Sequence, residues 1–88
     1  MTQAEIFNNF MRAVWENDIR DADGNDLYDT YADANAVAHA MDARPGPIRS
    51  HADDEDWREY LFPDGSTIGV YVNGSGISSN VGVGQVFA

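Results

Sequence analysis

The hydrophobic pattern of this chain changes its period at Arg44-Pro45-Gly46-Pro47, and that change limits the fold more than any other feature. Before it, apolar residues recur at helical spacing, and after it they alternate as in half-buried strands. Proline disfavours helical backbone in the residue before it, and Gly-Pro cannot continue a helix. The sequence therefore predicts an α+β domain, with amino-terminal helices packed on a sheet.

Two helices are expected before the change of period. Thr2-Gln3-Ala4-Glu5 matches the capping box, in which threonine and glutamate satisfy each other's backbone N–H groups at a helix start. Helically spaced apolar residues follow it, which predicts a helix over about 3–19. A second apolar stripe, rich in alanine, runs from Leu27 to Met41 and predicts a helix over about 26–43.

Three strands are expected after the change of period, over about 57–62, 67–72 and 77–83. Pro63-Asp64-Gly65-Ser66 and Asn73-Gly74 are turn sequences that lie between them. Such short connections join neighbouring antiparallel strands, so the strands form a three-stranded antiparallel β-meander. With 88 residues, the chain is expected to be a single domain over 1–88.

The composition argues against an enzyme, a metal and a cofactor. The chain has no cysteine and no lysine, which excludes thiolate, Schiff-base and P-loop lysine chemistry. His39 and His51 have no partner at metal-ligand spacing, and no serine lies in a nucleophile-elbow sequence. The amino terminus lacks the pattern of a secretory signal, and no apolar run reaches membrane-spanning length, so a cytoplasmic location is expected.

Charge is concentrated at one end of the sequence. The net charge is −10, and residues 1–43 carry nine carboxylates against two arginines, a net charge of −7. No charged side chain follows Asp64. A protein with this balance repels nucleic acid and anionic membranes and attracts basic surfaces, so no direct nucleic-acid or membrane partner is expected.

The decapeptide DADGNDLYDT at 21–30 is the densest acidic run in the helical half. Aligning Gly24 with the glycine of a calcium-binding EF-hand loop places Ile19 first and Thr30 twelfth, and neither side chain supplies the required carboxylate. The alternative is a turn between the helices, followed by Asn25 or Asp26 as the cap of the second helix and Asp29 in its first turn. On a continuous helix, Asp26, Asp29 and Asp33 would share one face.

A second acidic run, Asp53 to Asp56, precedes Trp57 in a connector predicted to be exposed. Such a run is a solvated loop, a weak site for a divalent ion or a surface for a basic partner, and the neighbouring aromatic residue favours the basic partner over the ion. Trp57 is either an interface anchor or the start of a core strand. The hypothesis is that both runs bind an arginine- and lysine-rich site of a nucleic-acid-binding protein. The predicted partner-binding residues are Asp21, Asp23, Asp26, Asp29, Asp33, Asp53, Asp54, Glu55, Asp56 and Trp57.

A short, cysteine-free, strongly acidic chain with the hairpin sequence EYLFPDGSTIGVYVNGSG resembles small phage-encoded inhibitors, anti-CRISPR proteins in particular. The resemblance lies in size, charge and α+β character. No functional residue follows from it, because that group shares no common sequence signature. It implies a stoichiometric inhibitor, acting in the host cytoplasm, that blocks nucleic-acid binding or effector recruitment by a CRISPR surveillance complex or nuclease.

An alternative interpretation is that the acidity is environmental. Aspartate in excess over glutamate, together with arginine and no lysine, is also typical of a high-GC or salt-adapted source, where acidity maintains solubility. The chain would then be a small adaptor or regulatory protein. Its uncharged last strand would leave a bare sheet edge, through which a homodimer could form.

Overall fold

The structure, a computed structural model, describes residues 1–16, 19–49, 56–73, 76–77 and 82–83. Within these ranges helices precede an antiparallel sheet, which confirms the predicted α+β fold. The helices are α1 (Gln3–Glu16), α2 (Leu27–Tyr31) and α3 (Ala34–Ala40), and the strands are β1 (Arg44–Pro45), β2 (Trp57–Leu61), β3 (Ser66–Tyr71) and β4 (Gly82–Val83).

The sheet has the strand order β1-β2-β3-β4, with every neighbouring pair antiparallel. Its centre is the β2–β3 hairpin, in which Trp57 lies opposite Tyr71 and Leu61 lies opposite Thr67. The turn between them was predicted: the Phe62 N–H donates to the Ser66 carbonyl at 2.9 Å, and Gly65 takes a left-handed φ of 89° that glycine adopts without strain.

The ends of the sheet differ in part from the prediction. Strand β1 was not expected, because Pro45 was interpreted only as a helix stop; at an edge, however, proline needs no ladder donor. The predicted strand 77–83 is seen as a bridge between Ile77 and Val70 and as β4 beside the start of β3. Residues 78–81 of that prediction lie outside the described ranges.

Helix α1 starts as predicted and does not include Ile19. The Glu5 N–H donates to the Thr2 hydroxyl at 3.1 Å, and the Thr2 N–H donates to the Glu5 carboxylate at 3.2 Å, which confirms the capping box. The described helix runs to Glu16, and residues 17–18 lie outside the described ranges. Ile19 is not helical, and its carbonyl accepts a hydrogen bond from the Leu27 N–H at 3.0 Å.

The predicted helix over 26–43 is two helices, so that prediction was wrong at its centre. Asp33 has extended backbone, with φ −86° and ψ 106°, and its carboxylate accepts from the Asn35 N–H to cap a new helix. The Ala32 carbonyl accepts from the Trp15 indole N–H at 3.1 Å. A new cap and a contact from α1 therefore interrupt the helix where the apolar spacing continues without a break.

Helix α3 ends in a Schellman motif, three residues before the predicted boundary. Asp42 has a left-handed φ of 62°, and the Ala43 N–H donates to the Ala38 carbonyl at 3.0 Å. The Asp42 N–H donates to the His39 carbonyl at 3.0 Å. These bonds satisfy carbonyls at the helix end and turn the chain toward β1.

The core lies between the helices and one face of the sheet. Its largest fully buried side chains include Phe7 and Met11 of α1 and Tyr60, Phe62 and Ile68 of the sheet region. The rings of Phe7 and Phe62 pack at a centroid distance of 5.5 Å and an angle of 51°. Burial of this apolar surface is the main source of stability.

The start of α1 is bound to the β2–β3 turn, 61 residues away in the sequence. The Gln3 N–H donates to the Asp64 carboxylate at 2.7 Å, and the Asp64 N–H donates back to the Gln3 side-chain oxygen at 2.9 Å. The Ala4 N–H donates to the Ser66 hydroxyl at 3.0 Å. The turn thus satisfies N–H groups that the first turn of a helix leaves without partners.

Hydrogen bonds from the Ser66 hydroxyl and the Gln3 backbone hold the pKa of Asp64 below its usual value. A lowered pKa means that the carboxylate stabilises the fold above the ordinary aspartate pKa of about 4, and that this contribution is lost as the pH falls through the lowered pKa. We expect Asp64→Asn to lower the melting temperature at neutral pH. Thermal unfolding followed by circular dichroism from neutral to acidic pH measures this.

The difference between Asp64→Asn and the wild type should shrink with acidification, because both then have a neutral side chain at this position. Asp23→Asn is the matched control, because Asp23 is exposed and is not a helix cap. A melting difference that stays constant with pH would contradict a role for the charge of Asp64.

Candidate functional site: the acidic segment and the helical groove

The acidic segment, defined as residues 21–33, begins with a turn organised by Asp21. Its Oδ1 atom accepts from the Asp23 and Asn25 N–H groups, each at 2.9 Å. Gly24 closes the turn with a left-handed φ of 83°. The bond from Asn25 contributes most to lowering the pKa of Asp21, so this carboxylate keeps its charge to lower pH than an ordinary aspartate.

Three more aspartates of the acidic segment lie at helix starts. Asp26 caps α2 by accepting from the Tyr28 N–H at 2.9 Å, and Asp33 caps α3 by accepting from the Asn35 N–H at 3.0 Å. Asp29 lies in the first turn of α2, where the helix dipole stabilises an anion. These positions confirm the predicted turn and the place of Asp29, and of the two predicted caps, Asn25 and Asp26, the structure selects Asp26. The prediction that Asp26, Asp29 and Asp33 share one face of a continuous helix is wrong, because the helix is interrupted at Asp33.

The charge of the acidic segment is not neutralised by a basic side chain. Among the residues that the structure describes, no arginine forms an ion pair with Asp21, Asp23, Asp26, Asp29 or Asp33. Four of them are exposed and Asp26 is half-buried. Backbone N–H donors carry no net charge, so the capping bonds leave the carboxylates anionic.

The second acidic run ends close to the acidic segment in space. Asn35 joins them: its side-chain NH₂ donates to the Asp33 carboxylate at 3.3 Å and to the Val72 carbonyl at 3.1 Å. The Val72 N–H donates in turn to the Asp56 carbonyl at 2.9 Å. Asp33 and Asp56 are thus linked through only two residues, although they lie 23 positions apart in the sequence, and both are exposed.

Of the other predicted contact residues in and beside this run, the structure describes only Trp57. Trp57 begins β2 and is half-buried, paired on one side with Tyr71 and on the other with Arg49, which confirms its assignment to a strand. Asp53, Asp54 and Glu55 lie outside the described residues. The described part of the candidate interface is thus the acidic segment with Asp56 and Trp57.

An apolar groove of about 620 Å³, called the helical groove below, lies between the three helices. Helix α1 contributes Ile6 and Phe10, and α2 contributes Leu27 and Tyr31. Ala40 and other residues of α3 complete it. Ile6 and Tyr31 are 48% and 39% exposed, which is high for large apolar side chains that line one groove.

The helical groove was not predicted from the sequence. The spacing of Leu27, Tyr31, Val37 and Met41 was interpreted as one core-facing stripe, and only the break between α2 and α3 makes these residues walls of a groove. The alanines of α3 are the sequence feature that could have predicted the groove, because such small side chains leave space between helices unfilled. Their position opposite Ile6 and Phe10 depends on tertiary packing.

No helix in the described parts of the chain combines the length and apolar character needed to cross a membrane. No group of three or more histidine, aspartate or glutamate side chains in those parts is arranged to hold a metal ion.

No protein-family model matches this chain, and neither a curated protein nor a solved structure is significantly similar to it.

Proposed function

We propose that this chain is a non-enzymatic inhibitor of the anti-CRISPR type, which uses its acidic surface to bind a basic nucleic-acid-binding site. The target would be a CRISPR effector or surveillance complex in the cytoplasm of a phage's host, and binding would block access of nucleic acid. The observation that carries the proposal is the connection from Asp33 through Asn35 and Val72 to Asp56. It supports a location of Asp56, the described end of the second acidic run, close to Asp33 of the acidic segment.

The electrostatics of the acidic segment also support the proposal. The carboxylates of Asp21, Asp26 and Asp33 accept backbone hydrogen bonds and form no ion pair with a described arginine, so a partner's cations would not have to displace such pairs. Hydrogen bonds fix the carboxylates of Asp21, Asp26 and Asp33 in place, which lowers the entropy lost when they bind. Complementary charge of this kind raises association rates and sets specificity.

The test is competition for nucleic acid. Fluorescence anisotropy would follow labelled target nucleic acid bound by purified CRISPR effector or surveillance complexes while this protein is added. We expect displacement that weakens as salt rises to about 0.15 M, where the Debye length is about 8 Å. Unchanged nucleic-acid binding with every complex, or displacement that is insensitive to salt, would contradict the proposal.

A charge-matched pair of variants identifies the surface. Asp29→Asn/Asp33→Asn removes two charges from the acidic segment and keeps a capping side chain at 33, since asparagine caps helices about as well as aspartate. Glu5→Gln/Glu16→Gln removes two charges from the two ends of α1 and keeps the capping box, which accepts glutamine in place of glutamate. We expect the first variant to weaken inhibition about tenfold or more, equivalent to about 1.4 kcal/mol. The second should change it much less, and equal losses would indicate a dependence on net charge alone.

A further inference from the structure

We propose that the helical groove binds the apolar face of a cationic amphipathic helix supplied by the partner protein. This inference rests on the proposed function and adds the kind of segment that the partner would present. The groove is formed by side chains of α1, α2 and α3, with Ile6 and Tyr31 exposed at 48% and 39%. Its volume of about 620 Å³ lies within the range of about 300–1,000 Å³ typical of ligand pockets.

The residues that line the helical groove indicate that the part of the partner in contact with them is apolar. Thr30 and Tyr31 supply the hydroxyls of the lining, and the described lining residues include no charged side chain. Phe10 and Tyr31 contact edge to face at 5.4 Å between ring centroids, which fixes an aromatic pair in the wall. A small polar ligand needs several placed polar groups, which this lining does not offer.

The charge next to the groove indicates a cationic occupant. Asp26 precedes Leu27 in the chain, Asp29 precedes Thr30, and Asp42 follows Met41, so each of these lining residues has a carboxylate as its neighbour. Arg12 and Arg20 are the arginines of residues 1–43, and each is engaged locally, with Glu16 and with the Gly24 carbonyl. An apolar row flanked by basic residues complements an apolar groove flanked by acids.

Because helices form the sides of the groove, the partner segment that binds there is expected to be a helix. Helices use their backbone groups internally, so a groove between helices offers no edge for adding a strand. An apolar groove between helices suits another common mode, the insertion of side chains at i, i+3, i+4 and i+7 of an amphipathic helix. A second copy of this chain is a poor occupant, because two surfaces of a protein with net charge −10 would repel each other.

The experiment uses the full chain and a synthetic peptide of about 18 residues, about five helical turns, with leucines at those spacings and arginine or lysine elsewhere. A control peptide has the same composition in scrambled order. Anisotropy of the labelled peptide measures Kd, and amide chemical shifts of the wild-type protein locate the site. We expect the amphipathic peptide to bind at least about tenfold more tightly than the scrambled one, with the largest shifts at residues lining the groove.

Ile6→Ser and Ile48→Ser form the matched pair of variants. The two isoleucines are 48% and 52% exposed, and only Ile6 lines the groove. We expect Ile6→Ser to weaken peptide binding about tenfold and Ile48→Ser to leave it nearly unchanged. Equal binding of both peptides, or shifts away from the groove, would overturn the inference.

Further outcomes separate this inference from the proposed function. If Asp29→Asn/Asp33→Asn weakens competition for nucleic acid while Ile6→Ser does not weaken peptide binding, the charged surface stands and the groove inference fails. If Ile6→Ser weakens peptide binding and competition for nucleic acid is absent, the groove stands without the proposed target. Binding of a small apolar dye without the peptide, or dimerisation that Ile6→Ser abolishes, would instead assign the groove to a small ligand or to a second copy.

Discussion

Phe7→Ala is expected to lower the free energy of unfolding by about 3–5 kcal/mol, the usual cost of removing a buried phenylalanine ring. Phe7 is fully buried and packs against Phe62 at 5.5 Å between centroids. The loss combines the apolar surface returned to water with a cavity at the contact of α1 with the sheet. A domain of this size loses about 4–8 °C in melting temperature for each kcal/mol, so the shift should be about 12–40 °C.

Chemical denaturation followed by circular dichroism measures this effect. The control is Asn9→Ala, an exposed position of the same helix, which should change stability by less than about 0.5 kcal/mol. The total stability of a small domain is about 5–15 kcal/mol, so Phe7→Ala can leave a marginal fold. A loss below about 1 kcal/mol would show that this part of the core is not packed as described.

Asn35→Ala is expected to destabilise the protein by about 2 kcal/mol, because it leaves several polar groups without their partner. The Asn35 Oδ1 atom accepts from the Tyr60 hydroxyl at 2.6 Å, and its NH₂ group donates to the Tyr71 carbonyl at 3.2 Å and to the Val72 carbonyl at 3.1 Å. These bonds attach the start of α3 to β2 and to the end of β3. Their loss should therefore also loosen the link between Asp33 and Asp56.

A double-mutant cycle with Tyr60→Phe isolates the central hydrogen bond. Tyr60→Phe alone should cost about 1 kcal/mol, and the coupling with Asn35→Ala should be about 1 kcal/mol. Strictly additive losses would contradict a direct bond between the two side chains. His39, whose ring lies edge-on to Tyr60 at 5.6 Å, supplies a neighbouring contact that both variants retain.

The contribution of Tyr60 to stability is also expected to depend on pH. Burial raises the pKa of the Tyr60 phenol, although Arg58 acts in the opposite direction. A raised pKa means that this contribution to stability is complete below the unfolded tyrosine value of about 10 and is lost as the pH rises through the folded value. Wild-type protein should therefore lose stability at alkaline pH more steeply than Tyr60→Phe does.

The candidate site was predictable only in part. Asp21, Asp26 and Asp29 lie where turn and cap chemistry placed them, because an aspartate that bonds N–H groups two to four residues away is a local device. The proximity of Asp33 to Asp56 was not predictable, since it depends on a hydrogen bond from Asn35 to Val72, the residue after β3, 37 positions away. The helical groove was missed because it is a space between elements, which residue spacing does not encode.

Spacing along the chain specifies the local structure of this protein: the capping box of α1, a cap at Asn25 or Asp26, the Gly65 turn and the order of helices before strands. Each depends on residues within a few positions of one another, where spacing specifies geometry. Tertiary packing is what breaks the second predicted helix at Asp33 and binds Asp64 to the start of α1. It also placed Asn35 between helix and sheet. Those outcomes depend on contacts between distant positions, which form only when the core brings the elements together.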